Sequence, residues 1–252
     1  MIDMTNHKSI GFQADVSFEY FTNAYSLATS KSSPVVSTGE QVYISYGARS
    51  NDQLLQYYGF IEKDNPNDVY VMPPIREWDV SKLEQACGRQ FVSGRLATLD
   101  SVGLLGKMTG AEESDSNNNN NNNNNSNMDG FANPLGGVVL TAMQGIDPAF
   151  MQALRALVST EKEWEAAGGM IGSFATENSG GTENEKCARL VAKTAIQLEL
   201  TSKPTTLLED MDKIKGIDLL ERMDMGGRDE ILALMFRIEK KKLLTKCIET
   251  LT

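Results

Sequence analysis

The sequence predicts an α+β protein, with a β-rich stretch over residues 1–75 followed by an all-α stretch over 76–252. Three observations carry that expectation. Apolar residues recur with period 2 before residue 75 and with period 3.6 after it. Pro73-Pro74 stands at the change, where neither residue can continue a helix or donate to a ladder. Between Gly39 and Phe60 the chain reads as a strand, a tight turn and a short helix, and the first part is organised around that stretch.

In chain order, Val16, Phe18 and Tyr20 alternate with Asp15, Ser17 and Glu19, a strand pattern, and residues 23–29 read as a second strand. Residues 30–38 are polar and contain Pro34, hence a loop. Val42, Ile44 and Tyr46 then alternate with Gln41, Tyr43 and Ser45, and Gly47 stops the strand. Ser50 can cap a helix, with Gln53 three residues on completing a capping box. Leu54, Leu55 and Tyr58 give that helix an apolar face, and Gly59 ends it. Pattern leaves two readings of Tyr46 open: a core tyrosine at a strand end, or a phenol aimed into a site. Asn65-Pro66-Asn67-Asp68 is a turn signal, and Val69–Met72 a short strand.

Beyond residue 75, Ser81–Phe91 and Leu96–Leu105 are expected helices. Residues 110–130 are low in complexity, with an unbroken asparagine run over 117–125, and are expected to form a disordered insertion because they cannot bury apolar surface. Asp147-Pro148 is an N-cap and N1 pair, and Phe150, Leu154, Leu157 and Val158 give the helix after it a stripe, with Trp164 closing a core contact. Thr182 with Glu185 reads as a capping box before a long helix, and Thr206 with Glu209 starts another. A last helix over 229–251 carries Leu243, Leu244, Cys247, Ile248 and Leu251 as its stripe, with Glu239–Lys242 as its solvated face.

The chain has 252 residues, is 40% hydrophobic and carries a formal net charge of −10. That charge argues against a phosphate-binding surface, so no nucleic-acid partner is expected, and it suits a basic protein substrate. His7 is the only histidine, which excludes Ser-His-Asp, Cys-His and multi-histidine metal sites within one copy. Cys87, Cys187 and Cys247 are far apart and form no Cys-x-x-Cys pair, so no zinc cluster and no metal is expected. No apolar run reaches the roughly 18 residues of a membrane span, and no membrane partner is expected.

The pieces DMTNH (3–7), GEQVYISYGARSN (39–51) and YYGF (57–60), in that order and spacing, resemble the carboxyl half of a SET domain. The resemblance is to the branch containing the Rubisco large-subunit methyltransferase, whose members methylate protein lysine or, in one case, histidine. It extends over the second part through Glu163-Trp164, Asn184-Glu185, Pro204–Asp210 and Phe236–Lys241, which are similar to the helical substrate-binding domain of that branch. It departs after His7, where NHKSIGF lacks the Pro-Asn of the general SET pattern.

This resemblance implies a carboxyl-terminal SET half over 1–75 and a helical substrate-binding domain over 76–252, with the first SET half expected upstream of residue 1. It implies an S-adenosylmethionine-dependent protein-lysine N-methyltransferase acting on a lysine side chain of a protein substrate, with histidine secondary. By position, Tyr46 is the catalytic tyrosine. Asn6, His7, Tyr46, Tyr58 and Phe60 contact the cofactor, with His7 as a contact and not a proton shuttle. Asp3 and Tyr58 line the substrate side. The alternative is a non-catalytic protein-binding module that retains the helical recognition domain.

Overall fold

The computed structural model describes residues 5–29, 35–101, 137–217 and 225–251. Asp3, the asparagine tract and the rest of the expected insertion at 110–130 lie outside the described residues, as does the end of the helix expected to reach Leu105. The chain is α+β and divides into two compact units, Met1–Asp68 with Ile217–Glu239 and Val69–Gly216 with Lys240–Thr252.

The first unit holds β1 (Asn6–His7), β2 (Ala14–Glu19), β3 (Ala24–Thr29), β4 (Tyr43–Ile44) and α1 (Asn51–Tyr58). The sheet order is β1-β4-β2-β3, with β4 parallel to both neighbours and β2–β3 an antiparallel hairpin. The strand expected over Val42–Tyr46 is reduced to Tyr43–Ile44. Its partners set that length: β1 offers two residues and β2 only Ala14. Tyr46 therefore leaves the ladder, and its N–H is taken by a side chain, described below.

The hairpin pairs Val16 with Leu27 and Phe18 with Tyr25, which puts the apolar residues on one face. That face is open to solvent, with Tyr25 67% exposed, so here alternation predicts a strand but not its burial. Helix α1 forms as read. The Ser50 side chain accepts from Gln53 N, the Gln53 side chain returns to Ser50 N, and Gly59 closes the helix in the left-handed region at φ 71°.

The second unit holds β5 (Val69–Met72), α2 (Val80–Cys87), α3 (Ser93–Ser101), β6 (Val138–Thr141), β7 (Gly145–Ile146), α4 (Pro148–Leu157), α5 (Glu161–Ala166), α6 (Thr182–Thr201) and α7 (Leu207–Gly216). Helix α8 (Met225–Thr250) gives its residues up to Glu239 to the first unit and those from Lys240 on to the second. The stretch 76–252 is therefore not all-α, because it contains β6 and β7, which join β5 in a three-stranded antiparallel sheet. The apolar run in Val138–Thr141 is only four residues long, too short for its period to declare a strand. Gly137 starts it where a Cβ would collide with the Met72 carbonyl. The core joins Met72, Leu83, Leu99, Leu140, Leu154, Phe174, Val191, Ile196 and Leu244, and Trp164 stacks on Phe174 with centroids 5.8 Å apart.

Two sequence expectations are corrected here. The Thr182–Glu185 capping box does not form. Gly181 is the N-cap, and Glu185 turns inward to Arg155, with Nε–Oε2 2.5 Å, because a buried guanidinium competes for its carboxylate. The Glu239–Lys242 face is not solvated over its first three residues: Glu239, Lys240 and Lys241 are all buried. Within the first unit Glu239 accepts from Asp64 N at 2.8 Å. Within the second, Lys240 donates to the Val69 carbonyl at 2.7 Å, and Lys241 donates to Asp210 at 2.6 Å and to the Thr205 hydroxyl at 2.8 Å. The partners lie outside the helix, so helical periodicity could not reveal them.

Candidate active site

The Asn65–Asp68 turn underlies the site. Asn51, fully buried at the start of α1, receives Glu62 N on its carbonyl at 3.0 Å and donates its amide to the Glu62 carbonyl at 3.1 Å. Its backbone N–H and side-chain amide both go to Asp68, at 2.9 and 3.2 Å. Asn65 adds a bond to the Arg49 carbonyl at 2.9 Å. These bonds fix residues 49–51 against 62–68, and so the loop carrying Tyr46 against the one carrying Phe60 and Glu62. Helix capping explains Ser50 and this scaffold explains Asn51.

Four of the residues singled out by sequence come together. His7 and Tyr46 have ring centroids 4.9 Å apart, Tyr46 and Tyr58 4.7 Å, His7 and Phe60 6.1 Å, and Tyr58 and Phe60 6.3 Å. His7 is buried, Tyr46 and Phe60 are half-buried and Tyr58 is exposed, so the cluster has an inner wall and an open side. Asn6 lies outside it: next to His7 on β1 it faces the other way and is exposed, as successive strand positions require. Asp3 lies outside the described residues.

The Tyr46 hydroxyl donates to the Thr5 carbonyl at 2.6 Å, which brings a phenolic and a carbonyl oxygen together at the cluster. Burial, with Tyr58 adding to it, pushes the Tyr46 phenol above its ordinary pKa, so it stays protonated. Both ring nitrogens of His7 are engaged by protein. Nδ1 accepts from Tyr46 N at 2.9 Å, and Nε2 lies 3.1 Å from the Ser9 hydroxyl. Ser9 in turn gives its hydroxyl proton to Glu62 Oε2 at 2.5 Å and its backbone N–H to Oε1 at 2.9 Å. Burial holds His7 below its ordinary pKa against the pull of the Glu62 charge. Sequence reading missed Thr5, Ser9 and Glu62. Thr5 acts through its backbone, and Ser9 meets Glu62 across 53 residues of chain, so no local signal marks them.

A groove of about 370 Å³ belongs to the second unit, floored by Met72, Trp78, Leu83 and Leu198, with Glu77 and Asp79 also lining it. It contains none of the residues of the aromatic cluster. Among the described residues no group of His, Cys, Asp and Glu could hold a metal ion, and no helix is long and apolar enough to cross a membrane.

No family model matches the chain, and no curated protein does. Solved structures do. A SET domain of LSMT bound to lysine and AdoHcy matches at TM-score 0.50 and 19% identity, covering 100% of this chain and 48% of that one. The chain shares the fold of that SET-domain structure. Rubisco LSMT bound to sinefungin and monomethyllysine matches at TM-score 0.49 and 20% identity over 99% of this chain and 48% of that one. Rubisco LSMT bound to AdoMet matches at 0.48 and 20% over 100% and 48%. The chain spans about half the length of the solved structures it matches.

Proposed function

We propose that this chain carries the methyl-transfer half of an S-adenosylmethionine-dependent protein-lysine N-methyltransferase, with Tyr46 as its catalytic residue. The observation that carries the reading is the Tyr46 hydroxyl set against the Thr5 carbonyl, within a wall formed by His7, Tyr58 and Phe60. The fold adds support, since the SET-domain structure of the same fold was solved with lysine and AdoHcy.

The residues fit such a cofactor. When bound, S-adenosylmethionine supplies a methyl group activated by a sulfonium. The Tyr46 hydroxyl and Thr5 carbonyl oxygens would be the acceptors for weak C–H···O contacts from such a polarised methyl group. Tyr58 and Phe60 take the arriving side chain out of water. A free lysine amine has a pKa of about 10.4, and an apolar wall penalises its charged form, favouring the neutral nucleophile. Tyr46, being protonated, orients the methyl group and takes no proton.

The test is calorimetric titration of S-adenosylmethionine into the purified chain, repeated with His7→Ala and with Tyr46→Phe. The reading expects binding that His7→Ala weakens, and binding without turnover in Tyr46→Phe. Methyl transfer at full rate by Tyr46→Phe would remove Tyr46 from its role.

A second reading, a non-catalytic module that binds a protein segment, is favoured by the apolar-floored groove of the second unit, with Glu77 and Asp79 among its lining residues. It expects partner binding that survives Tyr46→Phe and is lost in Leu198→Glu.

A further inference from the structure

We infer that Glu62, acting through Ser9, sets which ring nitrogen of His7 carries the proton and thereby positions Tyr46. The bearing on catalysis rests on the function proposed above; the positioning itself rests on the hydrogen bonds alone.

His7 Nδ1 receives the N–H of Tyr46 at 2.9 Å, so it carries no proton of its own in this arrangement. The ring proton then sits on Nε2, facing the Ser9 hydroxyl at 3.1 Å. That hydroxyl accepts from Nε2, and also from the Asn67 amide at 3.4 Å, and gives its own proton to Glu62 Oε2 at 2.5 Å. The order of donors is thus fixed from end to end: Tyr46 N–H to Nδ1, Nε2–H to Ser9, Ser9 O–H to the carboxylate. Glu62 is itself held, by Asn51 at its backbone N–H and carbonyl.

The opposite tautomer has a taker. The Ile44 backbone, paired with His7 across β1 and β4, offers the ring a second acceptor beside the Ser9 hydroxyl. In that state the Tyr46 N–H loses its acceptor, and the residue whose hydroxyl meets Thr5 loses its backbone anchor. Glu62 decides between the two states, because only the Nε2–H form completes the chain to its carboxylate. Among the described residues, the titratable groups facing the ring are Glu62 and Tyr46. Arg49 bonds the Tyr46 carbonyl at 3.2 Å, and Lys8 lies over the Tyr43 ring.

The experiment exploits His7 being the only histidine in the chain. Long-range proton–nitrogen spectra of the ¹⁵N-histidine-labelled full chain report a single imidazole, which gives tautomer and titration without ambiguity. Wild type is expected as the Nε2–H form, with Ser9→Ala shifting population to Nδ1–H and Ser9→Thr restoring it. Exchange of the Tyr46 amide is expected to quicken by roughly fivefold or more in Ser9→Ala, the loss of about one hydrogen bond. Glu62→Gln keeps an acceptor but removes the charge, so His7 is expected to protonate at lower pH than in wild type. A wild-type Nδ1–H ring, or a tautomer and Tyr46 exchange unmoved by Ser9→Ala, overturns the inference. So does an unchanged His7 titration in Glu62→Gln. A chain that meets these expectations and yet neither binds S-adenosylmethionine nor transfers a methyl group leaves the positioning standing and removes the proposed function.

Discussion

Two buried polar networks, one in each unit, solve different problems. In the second unit Lys241 is almost wholly buried against Asp210, Thr205 and Thr206, and Arg155 is buried against Glu185. Full charges face full charges there, with little water. In the first unit the buried member of the relay is a neutral imidazole, and the Glu62 carboxylate sits at its more open end. A buried ion pair is costly to form and more costly to break, so it fastens one element to another. A neutral relay binds weakly but fixes orientation, which suits the positioning role proposed for His7 toward Tyr46. The difference teaches that burial of a polar side chain does not by itself mark a functional site: Lys241–Asp210 and Arg155–Glu185 are buried fastenings.

The largest expected effect tests the fastening. Lys241→Ala removes the buried cation facing Asp210 and should lower the stability of the second unit by about 3–5 kcal/mol in denaturant unfolding. Replacing both partners together, Lys241→Met with Asp210→Leu, should recover most of that loss, since an apolar pair avoids the desolvation. A double variant as unstable as the single one would mean that Thr205 and Thr206 need the charge.

Next in size is the effect on the proposed chemistry of breaking the other network at Tyr46. Tyr46→Phe should reduce methyl transfer by about a hundredfold or more, the scale seen when one pre-organised donor is removed. Unfolding free energy should change by only about 1 kcal/mol, for one hydrogen bond to Thr5. A variant as unstable as Lys241→Ala would make Tyr46 a core residue after all.

Acid should separate the two networks. His7 titrates below its ordinary value of 6.5 in the folded chain because burial penalises its charged form. As pH falls from about 6.5 the unfolded chain takes up this proton first, so the first unit loses stability down through the folded pKa. For Glu185, burial pushes the carboxyl upward, but bonds from Arg155, Asn178 N and Arg189 outweigh it and leave it below 4.5. Its contribution is present above that value and is lost only as pH falls through the lowered one. Both tryptophans, Trp78 and Trp164, belong to the second unit. Tryptophan emission should therefore report a transition that holds between pH 6.5 and 4.5, while histidine resonances report earlier loss in the first unit.

The smallest expected effect is local. Ser50→Ala removes one half of the capping box of α1 and should cost about 1 kcal/mol. Hydrogen exchange along 51–58 would locate the loss in that helix, and an unchanged exchange pattern would show the cap to be redundant with the Asn51–Asp68 bonds.

Elements written within a few residues were legible in the sequence. The Ser50–Gln53 box, Gly59 as its stop, the Asp147-Pro148 start and the Thr206–Glu209 pair all stand where the chain announced them, because capping joins atoms three residues apart. The aromatic members of the site could be singled out by resemblance, and the structure brings His7, Tyr46, Tyr58 and Phe60 within ring contact. What joins distant residues was not legible. Nothing near Glu185 says that Arg155 will claim it from the cap, and nothing near Lys241 says that Asp210 will bury it. The short strands at 138–146 acquire their identity from β5, more than sixty residues earlier. The same holds for Glu62 and Ser9, whose meeting decides how His7 is protonated. The sequence by itself determined where helices start and stop and which way most faces turn, since those follow from bonds and periods of one turn or less. Only tertiary structure decided which charges lie inside and which tautomer the single histidine holds, because both depend on desolvation and on partners that folding alone brings near.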